Sequence, residues 1–459
     1  MTSEPTTSKP PTLPQSFPGQ RLLDFRRDPL ATLRRAATYG DVVRLPLSPA
    51  PVFLVNHPDL IKDIFVTHTR QFKKSRGLEK AKLLLGDGLL TSEGTAHLVR
   101  RRQIQPVFHR QRIEAYARTM TDCAEHASAR WKDGETRDMA PEMMRLTLDI
   151  VGQTLFGADM EAEAEDIGGA MGEALTLLQL LVLPYTDFVE RLPLPIVRRF
   201  RRSRARLDET VYRLIAEHRQ AGDRGDLLSL LLDAPDEEDG THMSDTQVRD
   251  EVMTLFLAGH ETTANALAWT WYLLSQHPDA ETRLHTEIDA VLEDRSPTLD
   301  DLPKLIYTRK ILSESLRLYP PAWAVGRRAL TDCDVGGFRL PAGSIVLLSQ
   351  AVTHRDPRFW LNADQFDPDR WTLEAEATRP KFAFFPFGGG PRVCIGEHFT
   401  WMELILALAA LARRWRMRLA PGQVVATQPI ITLRPRFGMR MVLEQRTQGT
   451  KLEVTASQT

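Results

Sequence analysis

Apolar and polar positions first alternate at residues 41–47 and 51–57, DVVRLPL and PVFLVNH, on either side of a Ser-Pro-Ala-Pro turn. A period of two bounded by proline predicts a pair of short strands and the beginning of a small sheet. From about residue 100 to 278 the period changes. Apolar residues recur at three- and four-residue spacing, interrupted at Gly157, Pro184, Pro193 and Pro195, which predicts a run of helices. After an acidic loop (234–243), Ser244 with Gln247 three residues on forms a capping-box pattern. No proline follows until Pro278, so the helix opened there, 244–277, is about 50 Å long at 1.5 Å per residue.

Another helix ends before Pro320, and CDVGGFRLPAGSIVLLSQ (333–350) reads as a hairpin. Residues 354–392 are loop-like and rich in Pro, Asp and Phe, a length that compact domains keep mainly for function. An apolar helix at 397–415 and a strand pair near 430–443 close the chain. The pattern as a whole predicts a mainly α (α+β) protein, a helix-rich body with a small β-sheet region and no internal repeat or second-domain linker.

Composition narrows the function. Fifty-nine Lys+Arg against 60 Asp+Glu give a net charge of -1, without the basic excess of a nucleic-acid binder. The longest apolar stretches, such as 404–412, fall far short of the roughly 20 residues that span a bilayer. No membrane anchor is expected. Residues 1–19 lack the apolar core of a signal peptide and read as a flexible Pro/Ser/Thr-rich arm. Three scattered cysteines fit neither a disulfide framework nor a multi-cysteine zinc site, and suit a reducing, cytoplasmic compartment.

One cysteine stands in an unusual setting. Cys394, in FPFGGGPRVCIGEHF, follows a glycine-rich turn at the start of the 397–415 helix, where the helix N-terminus favours a thiolate. Glycines 388, 389, 390 and 396 remove side chains around its sulfur, which would let a flat cofactor and backbone amides approach closely, and Arg392 adds a cation. The pattern Phe387-x-x-Gly390-x-Arg392-x-Cys394-x-Gly396 resembles the haem-binding loop of the cytochromes P450, the haem-thiolate monooxygenases. Thr400 stands where the family usually has alanine.

Two further motifs carry the resemblance. On the long helix, Ala258-Gly259-His260-Glu261-Thr262-Thr263 is similar to the family's oxygen-binding motif. A threonine hydroxyl there can bond the Ala258 carbonyl, loosening the helix ladder into a polar notch. Glu314 and Arg317, at i,i+3 spacing, match the family's buried pair, which Arg370 of FDPDRW would complete.

The resemblance spans about residues 20–444 and implies one haem domain followed by a 445–459 tail. It assigns Cys394 as the axial ligand of haem b, with Phe387 and Gly396 in the haem loop. His97, Arg101, Arg327 and Arg392 would pair with the haem propionates. Thr262 and Glu261 would serve O2 activation, and Glu314, Arg317 and Arg370 would clamp the cysteine loop. Leu90, Ala258, Ala322, Val325 and Ile431 would wall an apolar substrate pocket, implying a lipophilic fatty acid or terpenoid. Electrons would come from outside, from a ferredoxin and its reductase or a flavodoxin, docking on a face that includes Arg100, Arg102, Arg110 and Arg112. The alternatives are a non-oxygenating or peroxide-using haem-thiolate enzyme and a haem-based ligand sensor.

Overall fold

The computed structural model describes residues 9–108, 110–158, 164–181, 192–233 and 242–446, with the side chains of 110–114, 164–166 and 179–181 left aside. Pro184, most of the acidic loop, the first eight residues of the arm, nearly all of the tail and the side chains of Arg110 and Arg112 lie outside the described residues.

The long helix runs Asp245–Gln276, and its start obeys the capping box. The Gln247 N–H donates to the Ser244 hydroxyl while the Gln247 side-chain oxygen accepts from the Ser244 N–H. Two of the donors orphaned at a helix start are thereby satisfied. The helix is buried on nearly every side and packs most extensively against Met139–Phe156, with Ile306–Leu318 and Glu397–Arg414 on other flanks. Gly259 permits that packing, because a Cβ there would meet a Val151 methyl at 2.9 Å. The breaks read from the sequence are real: Gly157 caps Met139–Phe156 in the left-handed conformation, and Pro195 is the first residue of Pro195–Ala221.

The main sheet has strands β1 (Val42–Leu45), β2 (Val52–Val55), β3 (Phe72–Lys74), β4 (Val325–Ala329) and β5 (Ile345–Leu348), in the spatial order β1-β2-β5-β4-β3. Only the β2–β5 pairing is parallel. Residues 333–350 are therefore not one hairpin. Cys333–Val335 and Phe338–Leu340 form a small hairpin, while β5 leaves it for the main sheet, where Val346 and Leu348 become fully buried. Nor do the strands near 430–443 pair with each other. Leu433–Pro435 folds back on Thr427–Pro429, and Arg440–Gln445 lies between Trp415–Leu419 and Thr136–Asp138. Residues 354–392 are irregular as expected, apart from the short helix Leu373–Thr378 and single helical turns. The C-terminal helix ends at Arg414, and Trp415 begins a strand.

Candidate active site

An irregular segment of this length needs an anchor, and buried charge provides it. Arg317, wholly buried, meets Glu314 through two bonds of 2.7 and 2.8 Å. Its remaining donors go to the carbonyls of His354, Ala363 and Gln365. Glu314 also accepts from Arg370 (2.9 Å), the Trp371 indole (3.0 Å) and the Asp367 N–H (3.0 Å). Every long side chain read from the motif is thus tied to the chain that leads to Cys394.

The Cys394 N–H donates to the Phe387 carbonyl at 3.0 Å, closing the loop on itself. Gly390 has φ +68, and a Cβ there would strike the Phe65 carbonyl at 1.9 Å; at Gly389 one would strike the Phe382 ring. These glycines seat the loop on its supporting chain. Gly396 faces the thiol itself, its Cβ position lying 4.0 Å from Sγ. The thiol opens into a cavity, yet burial raises it to about 11, against the opposing effects of the Gly396 N–H and Arg101. A helix start two residues away therefore does not ionise Cys394 unaided. A coordinated metal deprotonates a thiol outright.

That cavity, about 940 Å³, brings the sequence-predicted residues together. Cys394, Phe387 and Gly396 line it, as do Ala258, Gly259, Glu261 and Thr262 of the long helix. Leu90, Ala322, Val325 and Ile431 complete apolar parts of its wall. The Thr262 hydroxyl donates to the Ala258 carbonyl at 2.6 Å, as the motif predicts, but the helix stays regular through this point. The notch is one of exposure: Ala258, Gly259 and Thr262 are less buried than their neighbours on the helix. Glu261 turns aside, accepting from the Thr432 hydroxyl and from Arg434 Nε at 2.7 Å, while its other oxygen, equally buried, has no hydrogen-bond partner. Arg434 is partly exposed, so this carboxylate stands between solvent and the cavity wall.

His97, Arg101, Arg327 and Arg392 share one region of the wall, and the structure adds Lys74, which the sequence reading missed. Nothing in QFKKS distinguishes Lys74 from Lys73; only β3 turns it inward, where Nζ bonds the Leu89 and Ser92 carbonyls. Burial and Arg392 pull the Lys74 ammonium down to about 7. Burial and Lys74 pull His97 to about 4, and burial with Arg392 pulls Arg327 to about 10. Glu93 offsets part of this charge, pairing with Arg392 and accepting from the Lys74 N–H. Arg392 Nη1 is nonetheless buried without a hydrogen-bond partner. A ligand with two carboxylates, an apolar ring and a metal that binds thiolate fits this wall, and haem is such a ligand.

Arg100 does not belong to an outer docking face. Its side chain points inward, with Nε 3.2 Å from the wholly buried Glu251 and Nη1 3.3 Å from Asp87. A buried carboxylate needs a countercharge, and Arg100 supplies it. Arg102 on the same helix is exposed. Glu251 also accepts from the Leu89 N–H at 2.8 Å, and burial raises its carboxyl to about 7. A raised carboxyl favours the fold when protonated. That contribution is present below about pH 4.5, is lost as pH climbs to about 7, and is bounded by about 3 kcal/mol. Glu251→Gln keeps an acceptor for Leu89 without the charge. Its thermal midpoint relative to the parent should be higher at pH 8 than at pH 5; an equal or opposite pH trend refutes the charge argument.

Fold and cavity define the class, a helical oxygenase built around haem. The Cytochrome P450 family profile matches residues 22–439, and the chain belongs to that family; it is a cytochrome P450 monooxygenase with a haem-iron cofactor. It is 42% identical over 431 residues to cyclooctatin synthase of Streptomyces melanosporofaciens, covering 93% of this chain and 94% of that one. It is 38% identical to cyclooctat-9-en-7-ol 5-monooxygenase of the same organism, over 90% of each chain. Pentalenene oxygenase of Streptomyces avermitilis is 36% identical over 92% of this chain and 94% of its own. The crystal structure of the cytochrome P450DA heme domain superposes with a TM-score of 0.87 at 28% identity, covering 96% of this chain and 98% of that one. Among the described residues no helix is long and apolar enough to cross a membrane.

Proposed function

We propose that this P450 hydroxylates a terpenoid at an unactivated carbon, using haem b and electrons from a ferredoxin and its reductase. The observation that carries the reading is the cavity itself, with Cys394 and Thr262 on its wall beside Leu90, Ala258, Ala322, Val325 and Ile431. Apolar burial at about 25 cal/mol per Å² binds hydrocarbon and gives a charged group near Thr262 no partner. The names of three relatives, cyclooctatin synthase, cyclooctat-9-en-7-ol 5-monooxygenase and pentalenene oxygenase, support a terpenoid over a fatty acid. Three thiols outside any disulfide suit the cytoplasm.

When bound, a cysteine-ligated haem supplies the oxidising chemistry that places one atom of O2 in a C–H bond. Cys394 would hold its iron, and Lys74, His97, Arg101, Arg327 and Arg392 its carboxylates. The apolar wall excludes water from the substrate. Glu261 takes protons from water reaching Arg434, and the Thr262 hydroxyl carries them the last step into the cavity. Thr262→Ala should keep haem and substrate binding yet lower product formed per NAD(P)H consumed by roughly tenfold or more, with peroxide released. Unchanged coupling removes Thr262 from the proton route.

A spectral-shift screen of purified holoenzyme against terpenes, terpenols and fatty acids tests the substrate class. Terpenoids should give the larger shifts at the lower concentrations. Shifts confined to fatty acids overturn the reading.

A further inference from the structure

Within the cavity wall, Gln350 has no place in the chemistry described so far. It opens the short helix Gln350–Thr353 directly after β5 and is fully buried. Neither its amide oxygen nor its amide nitrogen has a hydrogen-bond partner, yet the residue lines the cavity. A buried primary amide left unbonded forfeits the hydrogen bonds it makes to water in the unfolded chain. Evolutionarily cheap apolar alternatives of similar size exist for a wall position that needs only volume.

Register places Gln350 in the substrate region. Val325 pairs with Leu348 at the end of the ladder, and Gln350 opens the helix that follows after Ser349. Its neighbours agree, since the Ser349 hydroxyl and the Ala351 N–H both donate to the Trp323 carbonyl, at 2.9 and 3.2 Å. Trp323 in turn donates its indole N–H to the Ile430 carbonyl at 2.9 Å. Ala322 and Ile431, next in sequence to Trp323 and Ile430, line the same cavity as Gln350. Arg327 pairs with Val346 inside β5, whereas Gln350 lies beyond the end of that strand.

We infer that Gln350 recognises an oxygen already carried by the substrate, so that the preferred substrate is a terpenoid alcohol or carbonyl compound and not the parent hydrocarbon. The inference rests on the terpenoid reading above. A hydroxyl both donates and accepts, matching the two free ends of the amide. A site built to bond an oxygen rejects the analogue lacking it far more strongly than an apolar pocket rejects an added hydroxyl. The reaction that supplies this substrate must accordingly install oxygen first, by water capture at the end of a cyclisation or by an earlier hydroxylation.

The test is equilibrium binding to the holoenzyme, read by the haem absorption shift and by calorimetry. The probes are abietadiene, abietadienol and abietadienal, with cedrene and cedrol as a smaller pair. The parent enzyme should bind each oxygenated member roughly tenfold or more tightly than its hydrocarbon. Gln350→Met should bring that ratio toward one. If Gln350→Met does not take up haem, Gln350→Glu decides: a carboxylate accepts from abietadienol but cannot donate to abietadienal, so only the aldehyde should lose affinity. A ratio near one in the parent, or a ratio that survives substitution, means that Gln350 bonds an ordered water only and overturns the inference. If no terpenoid binds and fatty acids do, the substrate reading itself has failed.

Discussion

Cys394→Ala is expected to abolish monooxygenase activity and the strongly red-shifted Soret band of the ferrous carbonyl complex. The cavity offers Cys394 as its thiol, with the sulfur accepting from the Gly396 N–H and opening into the space between the loop and the long helix. Cys123 and Cys333 are buried elsewhere in the fold, and burial raises both thiols, Cys123 especially far. Neither lines the cavity. Cys123→Ala and Cys333→Ala should therefore keep the band and most of the activity, while Cys394→Ala falls to background. A Cys394→Ala enzyme that retains the band, with either other variant losing it, assigns the ligand elsewhere.

The second large effect is structural. Glu314→Ala leaves Arg317, wholly buried, without the carboxylate it pairs with, and removes an acceptor shared by Arg370, Trp371 and the Asp367 N–H. Breaking a buried pair on one side costs about 3–5 kcal/mol. Denaturant unfolding should show a loss of that order, with haem retention reduced because the tethered segment leads to the Cys394 loop. The Arg283–Asp369 pair, as close at 2.6 Å but about half exposed on both sides, is the control. Arg283→Ala should cost about 1 kcal/mol or less. Equal losses in the two variants contradict the claim that burial sets the value.

What the sequence made legible was local. A capping box, a proline-free apolar run and a glycine-bounded cysteine each act within a few residues, so the long helix and the cysteine loop could be read directly. The misreadings were of contacts between distant segments. β5 continues smoothly from a hairpin in sequence, yet its buried Val346 and Leu348 are satisfied only between β2 and β4. Arg100 looked like one cation in a solvated run until Glu251, from another helix, required it. Lys74 and Arg434 give no sign of their roles because each is defined by a partner far along the chain, the cation cluster for one and Glu261 for the other. The close packing at Gly390, Gly389 and Gly259, which admits Phe65, Phe382 and Val151, was not legible either, because each partner lies far along the chain.

In turnover this chain should place one atom of O2 on a terpenoid carbon. Turnover of the terpenoid giving the largest spectral shift, with ferredoxin, its reductase and NAD(P)H under 18O2, tests it by mass spectrometry of the product. The expected product is an alcohol carrying one labelled oxygen. An unlabelled product, or product formed only when peroxide replaces O2 and reductant, would contradict it.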